Sequence, residues 1–596
     1  MSSLILSRRD IDFMLYEWLN AESLVTLPRY ADHSRETFDA VLDLSAQMAT
    51  EHFASHNKKN DANEPWFDGE TVHMIPEVKA ALDIFAEAGL IAAGQDYDLG
   101  GMQLPTLVEK ACFAWFLAAN VGTAAYPFLT IGNANLLLSY GTTEQQKTWV
   151  QPMMDGRFFG TMCLSEPQAG SSLADISTRA EPDGQERYRL FGNKMWISGG
   201  EHGLSDNIVH LVLARLPDAP PGVKGISLFI VPRHLLNDDG SVGEHNDVVL
   251  AGLNHKMGYR GTTNTLLNFG EGKFLPDGKP GAVGYLVGEP HKGLSCMFHM
   301  MNEARIGVGL GAAALGYTGY LHALDYARQR KQGRAPGAKE PSLPAIAIIE
   351  HTDVKRMLLA QKAYVEGGLG LNLYCARLVD EERTSTGDDK ARATLLLDML
   401  TPVAKSWPSQ WCLEANNLAI QVHGGYGYTR DYNVEQFYRD NRLNPIHEGT
   451  HGIQALDLLG RKVVMQDGLG LDVLLNLIQA STAQAAELPE LAEAGAQLDA
   501  VVYRLADVTR KLHGSGQPAL ALANAAVYLE AFGHTVVAWI WLEQMLAAAG
   551  KAGDFYAGKQ QAGQWFFAWE LPKTEQWLDL LASLDDTCLT MRDNWF

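Results

Sequence analysis

Cysteine is scarce: Cys112, Cys163, Cys296, Cys375, Cys412 and Cys588 are all there is in 596 residues. No C-x-x-C pair occurs and no cysteine stands beside histidine at zinc spacing, which argues against a disulfide framework and predicts no metal site. Positive charge is also short, with 48 Lys and Arg against 70 Asp and Glu and a formal net charge of −22. The acidic residues are spread along the chain rather than gathered in a tail. A surface of that sign repels phosphate backbones and anionic bilayers, so nucleic acid and membrane surfaces are poor partners. A phosphate-bearing small molecule is still admissible, because it needs only a few local cations and backbone N–H groups. Long apolar runs are missing as well. The start, MSSLILSRRDIDF, breaks at Arg8 and Arg9, and no later stretch supplies the roughly 18 consecutive apolar residues of a spanning helix. The expectation is a cytoplasmic protein in a reducing compartment, with no integral membrane segment.

What is present is globular. Apolar residues make up 46% of the chain, and its length exceeds one ordinary core, so three or four packed units are expected. From Ser7 to about Gly156 apolar positions recur every three or four residues, as in Val78, Ala81, Leu82, Ile84 and Phe85, which predicts helices. Between Phe158 and Val287 the pattern changes to short β-branched and aromatic runs, RYRLFG, NIVHLVLARL, GISLFIV, NTLLNFG and AVGYLVG. Gly, Pro, Asp and Asn separate them, and a small sheet or barrel is expected. Helical spacing returns from about Gly293 to about Val464. The remainder is Ala- and Leu-rich, and from Asp472 it holds fifteen Asp and Glu against seven Lys and Arg. The fold expected is mainly α with a central β domain. It comprises an N-terminal helical domain (1–157), a small β-barrel domain (158–290), a helical bundle (291–465) and an acidic C-terminal helical extension (466–596). The Pro/Gly/Lys-rich insertion 332–344 is expected to loop out between helices.

Three local motifs carry chemistry. In MCLSEPQAGSS, 162–172, a strand ending in Ser165, Glu166 and Pro167 and turning through Gly170, Ser171 and Ser172 exposes hydroxyls and backbone N–H groups that suit a flat heteroaromatic ring or a phosphate. In GNKMWISGG, 192–200, strand alternation sets Trp196 and Ser198 on one face, an indole to wall a planar group and a hydroxyl to bond its edge. In IHEGTHGIQALDLLGRKV, 446–463, Glu448 precedes Gly449 and Thr450 at a helix entrance, where burial would raise its pKa into the range of a useful base. Read singly, each has a plainer counterpart: a Ser/Gly turn, a core tryptophan, an N-terminal helix charge.

Taken together, in this order and at these separations, the motifs resemble the acyl-CoA dehydrogenase family over about residues 70–465. YGTTEQQKTWV (140–150), HKMGYRGTTNT (255–265) and YARQRKQGR (326–334) add to the resemblance. The acidic helical extension is similar to that of the long subgroup containing methylthiopropionyl-CoA dehydrogenases. The resemblance implies FAD-dependent α,β-dehydrogenation of an acyl-CoA thioester. Glu448 would abstract the α-proton, flavin N5 would accept the β-hydride, and electron-transferring flavoprotein would be the acceptor in β-oxidation. It also implies a homodimer.

By the same resemblance Leu164, Ser165, Trp196 and Ser198 contact FAD, with Gly170 and Ser171 near its phosphates or CoA. Arg330, Gln421, Gly424 and Gly425 would reach the FAD of the neighbouring subunit, and Thr450 keeps a flavin contact. Ser171, Asn302, Arg305 and Gly449 would hold substrate, although Asn302 stands where the family has Asp. His447 replaces the usual Tyr before the base, Met162 a common aromatic, and Gly452 a Gln. Some members carry the base on the preceding long helix, at the position of Ala304. Alanine cannot take a proton, so Glu448 is favoured, with Glu303 a neighbouring rival. An acyl-CoA oxidase passing electrons to oxygen shares these motifs. A flavoprotein of the alkylation-response type shares the fold, but would need a basic surface.

Overall fold

A computed structural model describes residues 3–596 apart from 185, 336, 338, 339 and 341 and the side chain at 299. Four residues of the insertion 332–344 therefore lie outside the described residues. The chain forms two compact units, each assembled from separated stretches. One comprises Met1–Asp39, Pro105–Ala118 and Arg305–Phe596, the other Ala40–Leu104 and Ala119–Ala304.

The second unit is built around eight strands: β1 Phe158–Cys163, β2 Arg179–Pro182, β3 Tyr188–Ser198, β4 Asn207–Arg215, β5 Ile226–Pro232, β6 Val248–Leu253, β7 Asn264–Phe269 and β8 Ala282–Val287. Their order is β6-β7-β3-β8-β5-β4-β1, and β2 bridges β3 to β4, closing a small barrel. The pairs are antiparallel except β1 with β4 and β2 with β4. The five runs read from the sequence are β3, β4, β5, β7 and β8. Strand β1 ends at Cys163, two residues before Ser165, so the Ser165 motif is a loop and not a strand end. The barrel is filled by Leu190, Val212, Phe229, Val231 and Leu267, all fully buried. Helix Val121–Tyr140 packs beside β1. Its N-cap Asn120 accepts from Thr123 N at 3.1 Å, satisfying one of the free N–H groups of the first turn.

In the first unit three long helices, Gly293–Gln329 (from Arg305 on), Thr352–Thr384 and Gly387–His423, form the bundle. Their closest approach depends on glycine. A Cβ at Gly309 would stand 1.8 Å from the Ala404 carbonyl oxygen, and one at Gly316 2.8 Å from Cys412 Cβ. Helix Ala525–Ala548 is the hub of the C-terminal extension. By length and composition it is apolar enough to cross a membrane, which the sequence reading did not anticipate, yet 83% of its most apolar window is buried within the fold. Trp539 and Trp541 on it are almost fully buried. Its apolarity serves a core, because Trp539 and Trp541 donate to Ser481 Oγ and the Ala363 carbonyl at 2.9 and 3.0 Å.

Candidate active site

The loop that carries Glu448 joins helix Val434–Asn441 to helix His451–Gly460 within the first unit. Thr450 caps the second helix, its hydroxyl accepting from Ile453 N at 3.3 Å. Immediately before the cap the backbone is left-handed twice, with φ +55° at Glu448 and +89° at Gly449. A glutamate in that region costs on the order of 1–2 kcal/mol and persists only where its surroundings fix it. Here they do. Lys405 Nζ donates to the Asn444 and Gly449 carbonyls, both at 2.7 Å, and Gln454 Nε2 donates to the Glu448 carbonyl at 3.2 Å. A ladder of buried asparagines reaches the same loop. Asn416 donates to the Leu315 carbonyl, Asn441 to Asn416, and Asn444 to Asn441 at 2.8 Å, while His447 Nε2 lies 3.1 Å from Asn444 Oδ1. The Glu448 N–H itself has no protein acceptor among the described residues.

The electrostatics follow from burial. Desolvation pushes the Glu448 carboxyl above the ordinary glutamate range, and the Lys405 and Arg305 charges oppose it. Burial brings Lys405 down to about 7 against the pull of Glu448. Burial, with the Lys405 charge, holds His447 down at about 3, so its imidazole is neutral. Arg305 is 4% exposed and pairs with Asp457 at 3.4 Å; Asp457 also holds Arg461 at 2.7 Å. The Glu448 carboxyl is thus desolvated, with two cationic side chains near enough to offset part of that cost. The rival Glu303 is occupied: Asn135 Nδ2 donates to both of its oxygens at 2.8 and 2.9 Å. Ala304 is buried.

The second unit carries the other motif residues. Lys194 and Glu166 form a buried ion pair at 3.0 Å. Lys194 also donates to the Leu164 carbonyl at 2.9 Å, and Met195 N to the Ser165 carbonyl at 3.0 Å. Glu166 accepts from Ser177 N, Ser177 Oγ and Thr178 N at 2.7, 2.9 and 3.0 Å. Burial alone would raise its pKa, but the Lys194 charge and these donors hold it down at about 2. The loop 164–178 is thereby pinned to β3, and the Ser165 N–H and hydroxyl have no partner among the described residues. Simple alternation along β3 fails at this point. Thr265 pairs with Ile197 but Leu267 with Lys194, so β3 carries a bulge, and Trp196 adopts φ +65°. Lys194 and Ile197 both point inward, leaving Trp196 60% exposed and Ser198 half-buried. An exposed indole held in a strained backbone beside hydroxyl and N–H donors suits the face and edge of a planar heteroaromatic ring. Gly170 and Ser171 lie exposed on the same loop.

Lys194→Met is expected to remove about 3 kcal/mol, the lower end for a broken buried pair because Glu166 keeps four donors, Gln168 Nε2 at 2.7 Å beside the three already named. A urea melt of the variant against wild type checks this.

The remaining predicted residues are placed as follows. Asn302 is half-buried, one turn before Arg305 on the long helix. Arg330 and Gln421 are exposed, and Gly424, at φ +62°, ends helix Gly387–His423 with Gly425 beside it. The structure brings Arg330 to this turn, its guanidinium 5.7 Å from the Tyr426 ring centroid. Tyr126, a candidate for the floor of an acyl pocket, is a core residue: its hydroxyl donates to the Gly261 carbonyl and accepts from Thr263 N at 2.9 Å. Lys405, Gln454, Asn444 and the Glu166–Lys194 pair were not read as site residues from the sequence. Glu166, Lys194 and Gln454 lie inside the quoted motifs, whereas for Lys405 the available signal was a lone lysine within LTPVAKSW.

Four family models match in succession: acyl-CoA dehydrogenase N-terminal domain at 36–157, middle domain at 161–271, C-terminal domain at 291–463, and an acetyl-CoA dehydrogenase C-terminal-like region at 474–592. A 3-methylmercaptopropionyl-CoA dehydrogenase of Ruegeria pomeroyi is 34% identical over 562 residues, 92% of each chain. The chain belongs to the acyl-CoA dehydrogenase family. A broad-specificity linear acyl-CoA dehydrogenase of Mycobacterium tuberculosis is 33% identical over 99% of both chains. An acyl-CoA dehydrogenase from Bacillus anthracis complexed with FAD shares the fold with TM-score 0.75, at 18% identity over 97% of this chain and 93% of that one. This acyl-CoA dehydrogenase is accordingly an oxidoreductase and a flavoprotein with FAD as cofactor, acting on acyl-CoA thioesters.

Proposed function

We propose that Glu448 is the base that removes the α-proton of the bound acyl-CoA thioester, giving the trans-2-enoyl-CoA. The observation that supports this reading is the carboxylate itself: desolvated, flanked by Lys405 and Arg305, and set on a left-handed turn whose own N–H is unused. Removal of an α-proton throws charge onto the thioester carbonyl oxygen, and the Glu448 N–H is the donor this chain offers there. One such donor is worth about 10²–10³ in rate. Bound FAD supplies the β-hydride acceptor, its N5. Trp196 would wall the flavin ring, the Leu164–Ser165 backbone, Ser165 and Ser198 would bond its edge, and Thr450 would touch it from the base loop. Gly170 and Ser171 would approach phosphates. Arg305, Asn302 and Gly449 would orient the thioester and CoA. In a homodimer the exposed Arg330, Gln421, Gly424 and Gly425 would meet the neighbouring subunit's FAD. Electron-transferring flavoprotein is the proposed acceptor and β-oxidation the setting, both on the family resemblance.

Anaerobic addition of acyl-CoA thioesters of increasing chain length to the holoenzyme tests the reading. One length class is expected to bleach the flavin spectrum within seconds, and reoxidation by electron-transferring flavoprotein should outpace that by oxygen. Flavin left oxidised by every thioester would overturn it.

The pH dependence has a fixed sign. The base acts ionised and its pKa lies above the ordinary glutamate value, so the rate of flavin reduction should rise with pH through an acid limb displaced upward from that value. Stopped-flow reduction across pH 5–8.5 measures the limb. A rate already flat from pH 5 upward would show that burial does not set the base's strength.

A further inference from the structure

Helix Gly387–His423 presses a single ammonium against the base loop. Lys405 is fully buried, with no solvent reaching its side chain. A cation in such surroundings is kept only where something compensates it. Two of its three donors are spent on backbone carbonyls, those of Asn444 and Gly449. These carbonyls bracket the turn in which Glu448 adopts φ +55° and Gly449 +89°. Hydrogen bonds from a charged donor are about twice as strong as neutral ones, so this contact, together with that of Gln454 on the Glu448 carbonyl, holds an otherwise unfavourable backbone. The charged and titratable groups facing Lys405 are few. His447 and Glu448 come from the loop, and Arg305 comes from helix Gly293–Gln329 with its partner Asp457 from helix His451–Gly460. Arg305 is largely answered by Asp457, whereas Lys405 forms no ion pair among the described residues, and Glu448 is the carboxylate that feels its charge.

We propose that Lys405 is a positioning residue of the reaction: its buried amine locks the strained Glu448 turn through the Asn444 and Gly449 carbonyls and, when protonated, places a positive charge beside the base. The inference rests on the reading of Glu448 as base. It divides Lys405's work into two parts that substitution can separate. Methionine removes both donors and charge, and glutamine keeps N–H donors and removes only the charge.

The test uses purified holoenzyme of wild type, Lys405→Met, Lys405→Gln and Glu448→Gln, with flavin content and melting temperature recorded first. Flavin reduction by an accepted acyl-CoA is then followed anaerobically across pH. For Lys405→Met a loss of about a hundredfold at pH 7 is expected. For Lys405→Gln the loss at pH 7 should be smaller, but its acid limb should move to higher pH by about one unit, since the charge that favoured the ionised base is gone. Should the methionine variant fail to hold flavin, the glutamine variant decides. Wild-type rates and an unmoved acid limb in either folded variant overturn the proposal. So does the failure of both variants to fold, which would make Lys405 a general core residue. The Glu448→Gln arm stands apart: if it reduces flavin at the wild-type rate, the base assignment falls, whatever the lysine variants do.

Discussion

Glu448→Gln is expected to slow flavin reduction by roughly 10⁴-fold, the upper end for loss of a general base, while the protein binds FAD and melts as wild type does. The two halves of that expectation have separate causes. An amide has no basic oxygen with which to take an α-proton, so the loss should persist at every pH. The fold should be unaffected, because the groups that hold the turn act on backbone atoms: Lys405 on the Asn444 and Gly449 carbonyls, Gln454 on that of Glu448. Burial already disfavours the charged carboxylate there, so a neutral isostere costs the folded state nothing and can raise its melting temperature slightly. Single-turnover reduction with an accepted acyl-CoA, beside a thermal melt, measures both halves. Glu303→Gln is the control. Its carboxylate is engaged by Asn135 in the second unit, and its rate should stay within about threefold of wild type. A Glu448→Gln enzyme within tenfold of wild type would move the base elsewhere.

How much of this was legible beforehand depends on the kind of signal each residue leaves. The barrel strands with continuous apolar runs, such as Asn207–Arg215 and Ile226–Pro232, announce themselves because nearly every position is buried. The closing strand Arg179–Pro182 does not. Only Ala180 of its four residues is buried, and its charged neighbours read as a loop. Strand alternation predicted that Trp196 and Ser198 share a side, and both are indeed the more open positions. The reason includes a bulge that no period-two pattern encodes, since the extra residue is defined by pairing with Asn264–Phe269. Glu448 was visible because its chemistry is local to a helix entrance. Lys405 was hidden, being 43 positions away along the chain and brought to the loop only by packing of the bundle. The asparagine ladder from Asn416 to Asn444 was hidden for the same reason. Gln454 and Lys194 sit inside motifs, whereas Lys405 and the asparagines lie outside them, because a buried donor needs only to arrive at the right carbonyl.

The C-terminal extension illustrates that scatter on a larger scale, and Lys559→Met should cost about 3–5 kcal/mol, as expected when one partner of a buried charge network is removed. Lys559, on helix Asp554–Trp569, is fully buried. Its ammonium lies 2.5 Å from Asp10 Oδ1 on the N-terminal helix and 2.9 Å from Glu366 Oε2 on the bundle helix Thr352–Thr384, and donates to Gln544 Oε1 at 2.8 Å. Tyr317 donates to the other Asp10 oxygen at 3.0 Å, and Lys362 pairs with Glu366. Without Lys559 two buried carboxylates share one remaining cation. Burial and Glu366 already push the Asp10 carboxyl upward in pKa, and the substitution pushes it further. A carboxyl whose folded pKa exceeds its unfolded value binds more protons when folded, so the variant should regain stability as pH falls from 7 toward 5. Urea melts at both pH values measure this, and Lys559→Met combined with Asp10→Asn should recover more than half of the loss. A deficit under about 1 kcal/mol, or one that grows on acidification, would mean the carboxylates are not held by this ammonium. If the expected pattern holds, the extension is not an appendage to the catalytic bundle. Truncation before Leu469 would strip the cation that pairs with Asp10 among the described residues and expose the apolar face that Trp539 and Trp541 cover, so the shortened chain should fail to fold rather than fold into a smaller enzyme.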